Sequence, residues 1–212
     1  LARRAAWLRR APEAAGALLV DCGDLLAVDR DELLASAILE TYAELGYDAV
    51  AVGDQELAEG VQRLLEYGQR YPLLANNLQL CPDDRSCVLF SPQPRVVERG
   101  GVKVGLFAVI DPQVFSLYPP EITARVKTSE PAAAAEVAVR NLRDAGAQVV
   151  VGLYHGPYEH ALALTSRVKG VDVLLVGHEQ RLIEARRSGR TIVASPGEEG
   201  NRVGTLALSI DR

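Results

Sequence analysis

The stretch Leu18-Leu19-Val20-Asp21-Cys22-Gly23-Asp24 determines how the rest of the chain is interpreted. This short apolar run, flanked by Gly16 and Gly23, predicts a buried strand that ends abruptly at an aspartate. Three later stretches repeat the same order, an apolar strand followed by glycine and by Asp or His: AVAVGDQE (Ala49–Glu56), VVVGLYHG (Val149–Gly156) and VLLVGHEQ (Val173–Gln180).

These four strand ends predict a single site. In α/β folds the carboxyl ends of the strands gather at one edge of the sheet, so Asp24, Asp54, His155 and His178 should converge there. Two carboxylates and two imidazoles are suitable ligands for a divalent metal. Taken singly, Asp24 could be a turn residue or a helix N-cap, and His178 could bond a loop carbonyl. The coincidence at four strand ends favours the metal site.

Composition limits the class of protein. The chain has 212 residues, 48% of them hydrophobic, and a net charge of -5, which fits one domain and argues against a nucleic-acid or anionic-membrane partner. No apolar run approaches the roughly 18 residues of a membrane helix. The pairs Arg3-Arg4 and Arg9-Arg10 predict a solvated helix face rather than a twin-arginine signal, because no apolar segment follows them. Methionine is absent, so we expect a piece of a longer product.

The three cysteines are too few for a disulfide scaffold. Cys81 and Cys87 bracket the turn-rich CPDDRSC and could form a disulfide or remain two thiols; a disulfide would indicate an oxidising compartment. Cys22 is interpreted as a small buried hydrophobe beside the site rather than as a redox group.

Hydrophobic periodicity and turn residues predict alternating strands and helices, with antiparallel strands at the margins. The predicted helices are Leu1–Arg10 (ended by Pro12), Asp31–Leu45, a segment through Leu57 and Leu65, Pro131 to Gly146, and Tyr158–Val168. The predicted strands are Ala17–Asp21, Ala49–Val52, Leu73–Ala75, Val88–Phe90, Arg95–Arg99, Val102–Val109, Val149–Tyr154 and Val173–Val176. Residues 111–128 are predicted to be loop-like, and Arg190–Ala194 with Val203–Ile210 to form a closing hairpin. The pattern indicates an α/β layered sandwich.

The order of these motifs resembles a known family. LLVDCGDLL, GYDAVAVGDQE, PLLANN, GVKVGLFAVIDP, VVVGLYHG and VDVLLVGHEQ follow one another as in the calcineurin-like metallophosphoesterases, and more narrowly as in the N-terminal catalytic domain of the bacterial 5′-nucleotidase/UDP-sugar hydrolase family. The resemblance implies a four-layer αββα sandwich with mixed sheets. It implies one metallophosphoesterase-like domain over residues 1–212, without the family's N-terminal strand and C-terminal nucleotide-binding domain.

The resemblance also implies a degenerate two-metal site. Asp24 corresponds to the bridging aspartate, Asp54 stands in place of the asparagine of GNH, and His155 and His178 match two histidine ligands, so one divalent metal (Mn, Zn or Fe) could be held. Gln55 and Gln180 replace two further histidines of the family pattern, and no DxH motif precedes the first helix. We therefore expect the second metal to be lost and assign no catalytic residue.

The expected function is that of a 5′-nucleotidase-like domain with weak or no phosphoester hydrolase activity. The alternative is a non-catalytic binding or assembly module of a larger periplasmic protein, for which a protein partner would be expected. A small phosphate ester is the expected ligand, and the expected location is the bacterial periplasm or another extracytoplasmic compartment. Glu56 and Glu179 are interpreted as solvated loop residues, and His160 as a surface residue near His155.

Overall fold

The computed structural model describes residues 2–11, 16–26, 31–91, 93–198 and 200–210. Within these ranges the helices are α1 (Ala2–Leu8), α2 (Glu32–Glu44), α3 (Val61–Arg70), α4 (Pro120–Thr123), α5 (Pro131–Asp144) and α6 (Tyr158–Arg167). The strands are β1 (Val20–Asp21), β2 (Ala49–Ala51), β3 (Leu73–Leu74), β4 (Leu78–Leu80), β5 (Val88–Leu89), β6 (Arg95–Arg99), β7 (Val102–Ile110), β8 (Val126–Thr128), β9 (Val149–Gly156), β10 (Val173–His178), β11 (Leu182–Ser188) and β12 (Thr191–Pro196). Leu1, the first residue of the first predicted helix, and Pro12, the residue predicted to end it, lie outside the described residues.

The strands form three sheets. A parallel sheet has the order β1-β2-β3, a mixed sheet the order β11-β12-β10-β9-β7-β6, and a small antiparallel sheet the order β5-β4-β8. In the mixed sheet β7, β9, β10 and β12 run parallel, while β6 and β11 are antiparallel edge strands.

Three apolar clusters separate four layers. One, with Phe107 and Leu174, lies between α5 and α6 and the outer face of the mixed sheet. A second, with Leu39 and Leu64, lies between α2 and α3 and the parallel sheet. The third, with Leu153, fills the space between the two sheets. Successive residues of a strand point to opposite faces, so each central strand contributes to two clusters. This is the predicted four-layer αββα sandwich with mixed sheets.

Side-chain caps begin two of the helices. The side chain of Asp31 accepts a hydrogen bond from the amide of Leu34 at 3.0 Å and begins α2. The side chain of Glu130 accepts one from the amide of Ala133 at 2.7 Å and begins α5. Gly146 follows α5 with a left-handed φ of 85°, a conformation that costs glycine little.

Two predicted segments are wrong. Residues 111–128 are not a loop: they contain a 3-10 turn (Pro112–Phe115), helix α4, and strand β8, which pairs with β4. The prolines begin the short helices instead of breaking them, because proline fits the first helical turn. The segment 203–210 is not a strand but an exposed irregular stretch. The closing hairpin pairs β12 with β11 instead, across the tight Gly189 turn.

Cys81 and Cys87 form a disulfide in the structure. It closes the loop that joins β4 to β5, two strands that already pair antiparallel. The covalent bond therefore holds the margin of the small sheet. Among the described residues, no helix has the length and apolar character needed to cross a membrane.

Candidate metal centre

Four strand ends bring their polar residues to one place. Asp24, Asp54, His155 and His178 each offer a ligand atom, and these atoms all lie within 4.8 Å of one another. β9 and β10 are parallel and in a register that sets Gly177 opposite His155, so the two imidazoles share one edge of the mixed sheet. Asp24 and Asp54 follow β1 and β2, which are parallel neighbours in the other sheet. The structure thus brings the four predicted residues together; their role as metal ligands stays a prediction.

The distances fit a single cation. His155 Nε2 lies 3.1 Å from Asp54 Oδ1 and 3.4 Å from Asp24 Oδ1. His178 Nδ1 lies 3.2 Å from Asp54 Oδ1 and 3.9 Å from Asp24 Oδ2. Four ligands bound tetrahedrally at about 2.0–2.2 Å would be roughly 3.3–3.6 Å apart. The side chains therefore need to move little to hold one divalent ion of the zinc or manganese type.

The orientation of His155 is fixed by the loop that follows β1. Its Nδ1 donates to the carbonyl oxygen of Cys22 at 2.6 Å, and a carbonyl can only accept. In its neutral form, which a metal requires, the imidazole therefore presents the Nε2 lone pair to the side of the aspartates, the arrangement usual for metal-binding histidines. Cys22 is half-buried, and its contribution to the site is this backbone carbonyl.

Two glycines let the loops come this close. A Cβ on Gly53 would lie 2.3 Å from Asp24 Oδ1 and 2.6 Å from His155 Cε1. A Cβ on Gly23 would lie 2.7 Å from the amide nitrogen of Gly53, and Gly23 also has a left-handed φ of 93°. Side chains of any size would separate the loops and displace the ligands.

The backbone at the site is itself unusual. Asp24 and His178 have φ values of 58° and 92°, in the left-handed region that residues with a Cβ rarely adopt. Such strain persists only where surrounding contacts impose it, and it concentrates at functional sites.

Glu56 differs from its interpretation as a solvated loop residue. It is fully buried, and its carboxylate accepts hydrogen bonds from the backbone on both sides of the site. The donors are the amides of Gly53 (2.6 Å), Asp24 (3.0 Å), Leu25 (2.8 Å) and Leu26 (3.2 Å). Glu56 therefore ties the loop after β1 to the loop after β2. Burial and the nearby charge of Asp24 raise its pKa to about 7, against the lowering effect of the amide donors.

Tyr118 belongs to the segment predicted to be a loop, and sequence reasoning missed it. Its hydroxyl donates to Asp54 Oδ2 at 2.8 Å, so Asp54 Oδ1 is the oxygen left facing the imidazoles. The ring packs edge-on against Phe115 with centroids 5.9 Å apart. The aromatic residues and prolines of Pro112–Pro120 are the sequence signal for an ordered segment at this position.

The site is electrostatically coupled. Burial would raise the pKa of Asp54, but hydrogen bonds from His155, His178 and Tyr118 outweigh burial and lower it. Hydrogen bonds to Asp24 and Asp54 raise the pKa of His178 to about 10. Burial opposes the charged form of His155, but Asp54 and Asp24 outweigh it and raise the pKa of that imidazole too. Without a metal, protons on the imidazoles balance the two carboxylates.

Other residues singled out in the sequence lie outside the cluster. The amide of Gln55 donates to Asp24 Oδ1 at 3.1 Å, and Gln180 is exposed. His160 Nδ1 lies 2.9 Å from Asp111, a buried carboxylate that also accepts from the hydroxyl of Tyr154. Glu179 is exposed, as expected, and its side chain accepts from the amide at the start of α6.

Comparison with known proteins gives no matching family model. The chain is 23% identical over 235 residues to Endonuclease YhcR of Bacillus subtilis, covering 98% of the chain and 19% of that protein. It is 22% identical over 239 residues to the trifunctional nucleotide phosphoesterase protein YfkN of B. subtilis, covering 92% of the chain and 16% of that protein. The chain thus spans about a fifth of the length of these curated relatives.

Solved structures share the fold. Thermus thermophilus sulfate thiohydrolase SoxB has a TM-score of 0.75 and 25% identity, covering 92% of this chain and 36% of its own. A 5′-nucleotidase precursor from T. thermophilus has a TM-score of 0.72 and 24% identity, covering 92% of this chain and 42% of its own. The relatives and structural neighbours also include 5′-nucleotidases and a calcineurin-like phosphoesterase, and this chain has their fold.

Proposed function

Since the chain has the fold of the calcineurin-like phosphoesterases, we propose that it binds one divalent metal through Asp24, Asp54, His155 and His178, and with it a small phosphate ester. The observation that carries the proposal is the convergence of their four ligand atoms within 4.8 Å. The donor set of two carboxylates and two imidazoles suits Zn²⁺, Mn²⁺ or Fe²⁺.

We infer that hydrolysis by this chain alone is weak or absent. A bound metal would supply a Lewis acid for a phosphoryl oxygen and a water of lowered pKa. The chain has three histidines in all, and His160 is engaged with Asp111. Gln55, which follows Asp54, and Gln180, two positions after His178, cannot supply a proton to a leaving group. Loss of the second metal is part of the same proposal.

The residues around the site have defined tasks in this proposal. Tyr118 and Cys22 orient Asp54 and His155, and Glu56 fixes the distance between the two aspartate loops. These groups hold the ligands in place before a metal arrives, which reduces the cost of ordering them on binding.

The test is metal content after loading with Mn²⁺ or Zn²⁺, wild type against His178→Ala, with hydrolysis of phosphomonoesters and phosphodiesters measured on the same samples. About one metal per chain, lost in the variant, supports the proposal. Close to two metals, or rapid hydrolysis abolished by Asp24→Asn, would contradict the one-metal, low-activity form of it. If the wild type binds no metal, the proposed metal site is wrong.

A second candidate function is a binding or assembly module without catalysis.

We further propose an extracytoplasmic location, because the Cys81–Cys87 disulfide requires an oxidising compartment to persist. The redox state of these cysteines in protein taken from its native compartment, measured by thiol alkylation and mass, tests that location. Free thiols there would contradict it.

A further inference from the structure

A cavity of about 330 Å³ opens beside the first turn of α6 and the start of β11. It is lined by Tyr158 and by residues 181–186. None of these residues belongs to the metal cluster, although Tyr158 follows His155 by three positions and Arg181 follows His178 by three. The cavity therefore offers a place for a ligand that the metal site does not use.

Two guanidinium groups face the same aromatic ring in this cavity. The guanidinium carbon of Arg181 lies 5.3 Å from the centroid of the Tyr158 ring, and that of Arg186 lies 5.1 Å from it. The Nε of Arg186 also donates to the Tyr158 hydroxyl at 2.6 Å. Tyr158 is almost fully buried, so it is a rigid support that holds both cations near each other.

These two cations have no ion-pair partner in the described part of the chain. The arginine ion pairs found there engage other residues, namely Arg4, Arg9, Arg63, Arg99, Arg125, Arg143 and Arg167. Glu184 lines the cavity without approaching either guanidinium within ion-pair distance. Residues 181–190 contain four arginines and this one glutamate, in a chain of net charge -5. The charged residues of the lining are two arginines and one glutamate, a net positive charge on an acidic protein. The carboxylate of Glu179 lies at the margin of the cavity, where it accepts a hydrogen bond from the amide of Tyr158 at 3.0 Å.

The pairing of β11 is irregular at this point. The β11–β12 register shifts between Ile183 and Arg186, which leaves Glu184 and Ala185 as an irregularity in the ladder. Such bulges re-aim the side chains that follow them and recur beside functional sites. Here the residue that resumes the ladder is Arg186, opposite Val193.

We propose that this pocket, the Arg181–Arg186 pocket, binds a phosphate group of an organic or inorganic phosphate, and that it does so without the metal. Arg186 retains its two terminal nitrogens after the bond to Tyr158, and Arg181 retains its whole guanidinium, so together they can grip a phosphoryl group from two sides. Guanidinium forks match phosphate oxygens in geometry and form charge-assisted hydrogen bonds with them.

The test uses the whole chain stripped of metal with a chelator and titrated calorimetrically with pyrophosphate. We expect one saturable site. Arg181→Gln and Arg186→Gln should each weaken binding about tenfold, the loss of one charge-assisted hydrogen bond. Arg181 makes no side-chain hydrogen bond to the described residues, so its variant keeps the fold. Glu184→Gln should tighten binding several-fold, because it removes the negative charge from the lining.

Two controls separate this proposal from its alternatives. Arg190→Gln removes the same charge from the same segment but outside the cavity, and it should leave the affinity unchanged. Asp24→Asn damages the metal cluster and should also leave the pyrophosphate affinity unchanged. The pocket is therefore tested independently of the proposed metal site. No saturable binding at roughly millimolar pyrophosphate, or equal weakening by Arg190→Gln and Arg181→Gln, would overturn the pocket.

Discussion

The hydroxyl of Tyr118 donates to Asp54 Oδ2 at 2.8 Å, while Asp54 Oδ1 lies 3.1 Å from His155 Nε2. The two oxygens of this carboxylate thus have different partners. The hydrogen bond from the tyrosine to Oδ2 orients the carboxylate, and Oδ1 remains available to a cation. The family resemblance leads one to expect asparagine at position 54. Because the residue is aspartate instead, the hydroxyl of Tyr118 donates to a negatively charged oxygen.

Tyr118→Phe should loosen this orientation. We expect the pKa of Asp54 to rise, because one of the hydrogen bonds that lower it is lost. We also expect the affinity for Co²⁺ to fall several-fold and the visible absorption of bound Co²⁺ to change as Oδ2 becomes free to coordinate. Phe115→Leu alters the adjacent packing without touching the hydrogen bond and is the control. An unchanged cobalt spectrum in Tyr118→Phe would contradict the orienting role.

The metal site should respond to pH with a defined sign. The carboxylates raise the pKa of His178 to about 10 in the metal-free protein, so a cation has to displace a proton at neutral pH. Mn²⁺ affinity should therefore increase from pH 6 to pH 9, with proton release measurable by calorimetry in buffers of different ionisation enthalpy. An Mn²⁺ affinity that does not change between pH 6 and pH 9 would show that His178 loses no proton when the metal binds.

The imidazole of His178 should also stabilise the metal-free fold, and this stabilisation should decrease as the pH rises, whereas metal affinity increases. A group whose pKa is raised on folding contributes fully below its unfolded value of about 6.5 and loses that contribution as pH rises through about 10. Chelator-treated wild type should thus lose thermal stability between these pH values more than His178→Asn does. If both proteins lose stability in parallel, the carboxylate–imidazole pairing does not stabilise the fold.

Glu56→Gln should be destabilising although it preserves shape. The amide nitrogen that replaces one oxygen cannot accept a hydrogen bond, so one or two buried backbone donors lose their partner at about 1–3 kcal/mol each. Chemical denaturation should report this loss together with weaker metal binding, since the two aspartate loops are no longer tied. Glu136→Gln, a neutralisation at an exposed position of α5 that lies outside the site, should leave both quantities near wild type. Equal behaviour of the two variants would refute the structural role of Glu56.

Gly53→Ala should abolish the site more selectively. The added methyl would lie 2.3 Å from Asp24 Oδ1, so the aspartate or the loop must move. We expect at least a tenfold loss of Mn²⁺ affinity by calorimetry, with secondary structure by circular dichroism unchanged. Gly204→Ala, where the nearest atom is 3.7 Å away, is the matched control. Retained metal affinity in Gly53→Ala would mean that the close packing of the loops is not needed.

The strand ends could be predicted from the sequence because their pattern is local. An apolar run, a glycine and a polar residue specify both the strand and the place where it stops. Parallel pairing then brings Asp24 beside Asp54 in one sheet and His155 beside His178 in the other. Glu56 and Tyr118 could not be assigned in this way. Their roles depend on which backbone amides and carboxylate oxygens the folded chain directs at them, and those donors and acceptors lie 3 to 64 positions away in sequence.

Short strands were missed for a related reason. β8 has three residues and an alternating pattern too brief to stand out, and it becomes a strand because β4 offers it hydrogen-bond partners. Val203–Ile210 presents the opposite case, a good strand pattern that finds no ladder among the described residues. In both segments, the availability of a neighbouring strand to pair with determines whether a strand forms, and intrinsic strand propensity does not.

The bond from His155 to the carbonyl of Cys22 joins residues 133 positions apart and spans the two sheets. The metal cluster therefore does not exist until both halves of the sandwich have assembled, and it has no counterpart in either half alone. An ion that binds here favours the assembled state by mass action, about 2.7 kcal/mol at a concentration one hundred times its dissociation constant. Metal availability would then set how long the two sheets stay together, and so the lifetime of the domain against proteolysis.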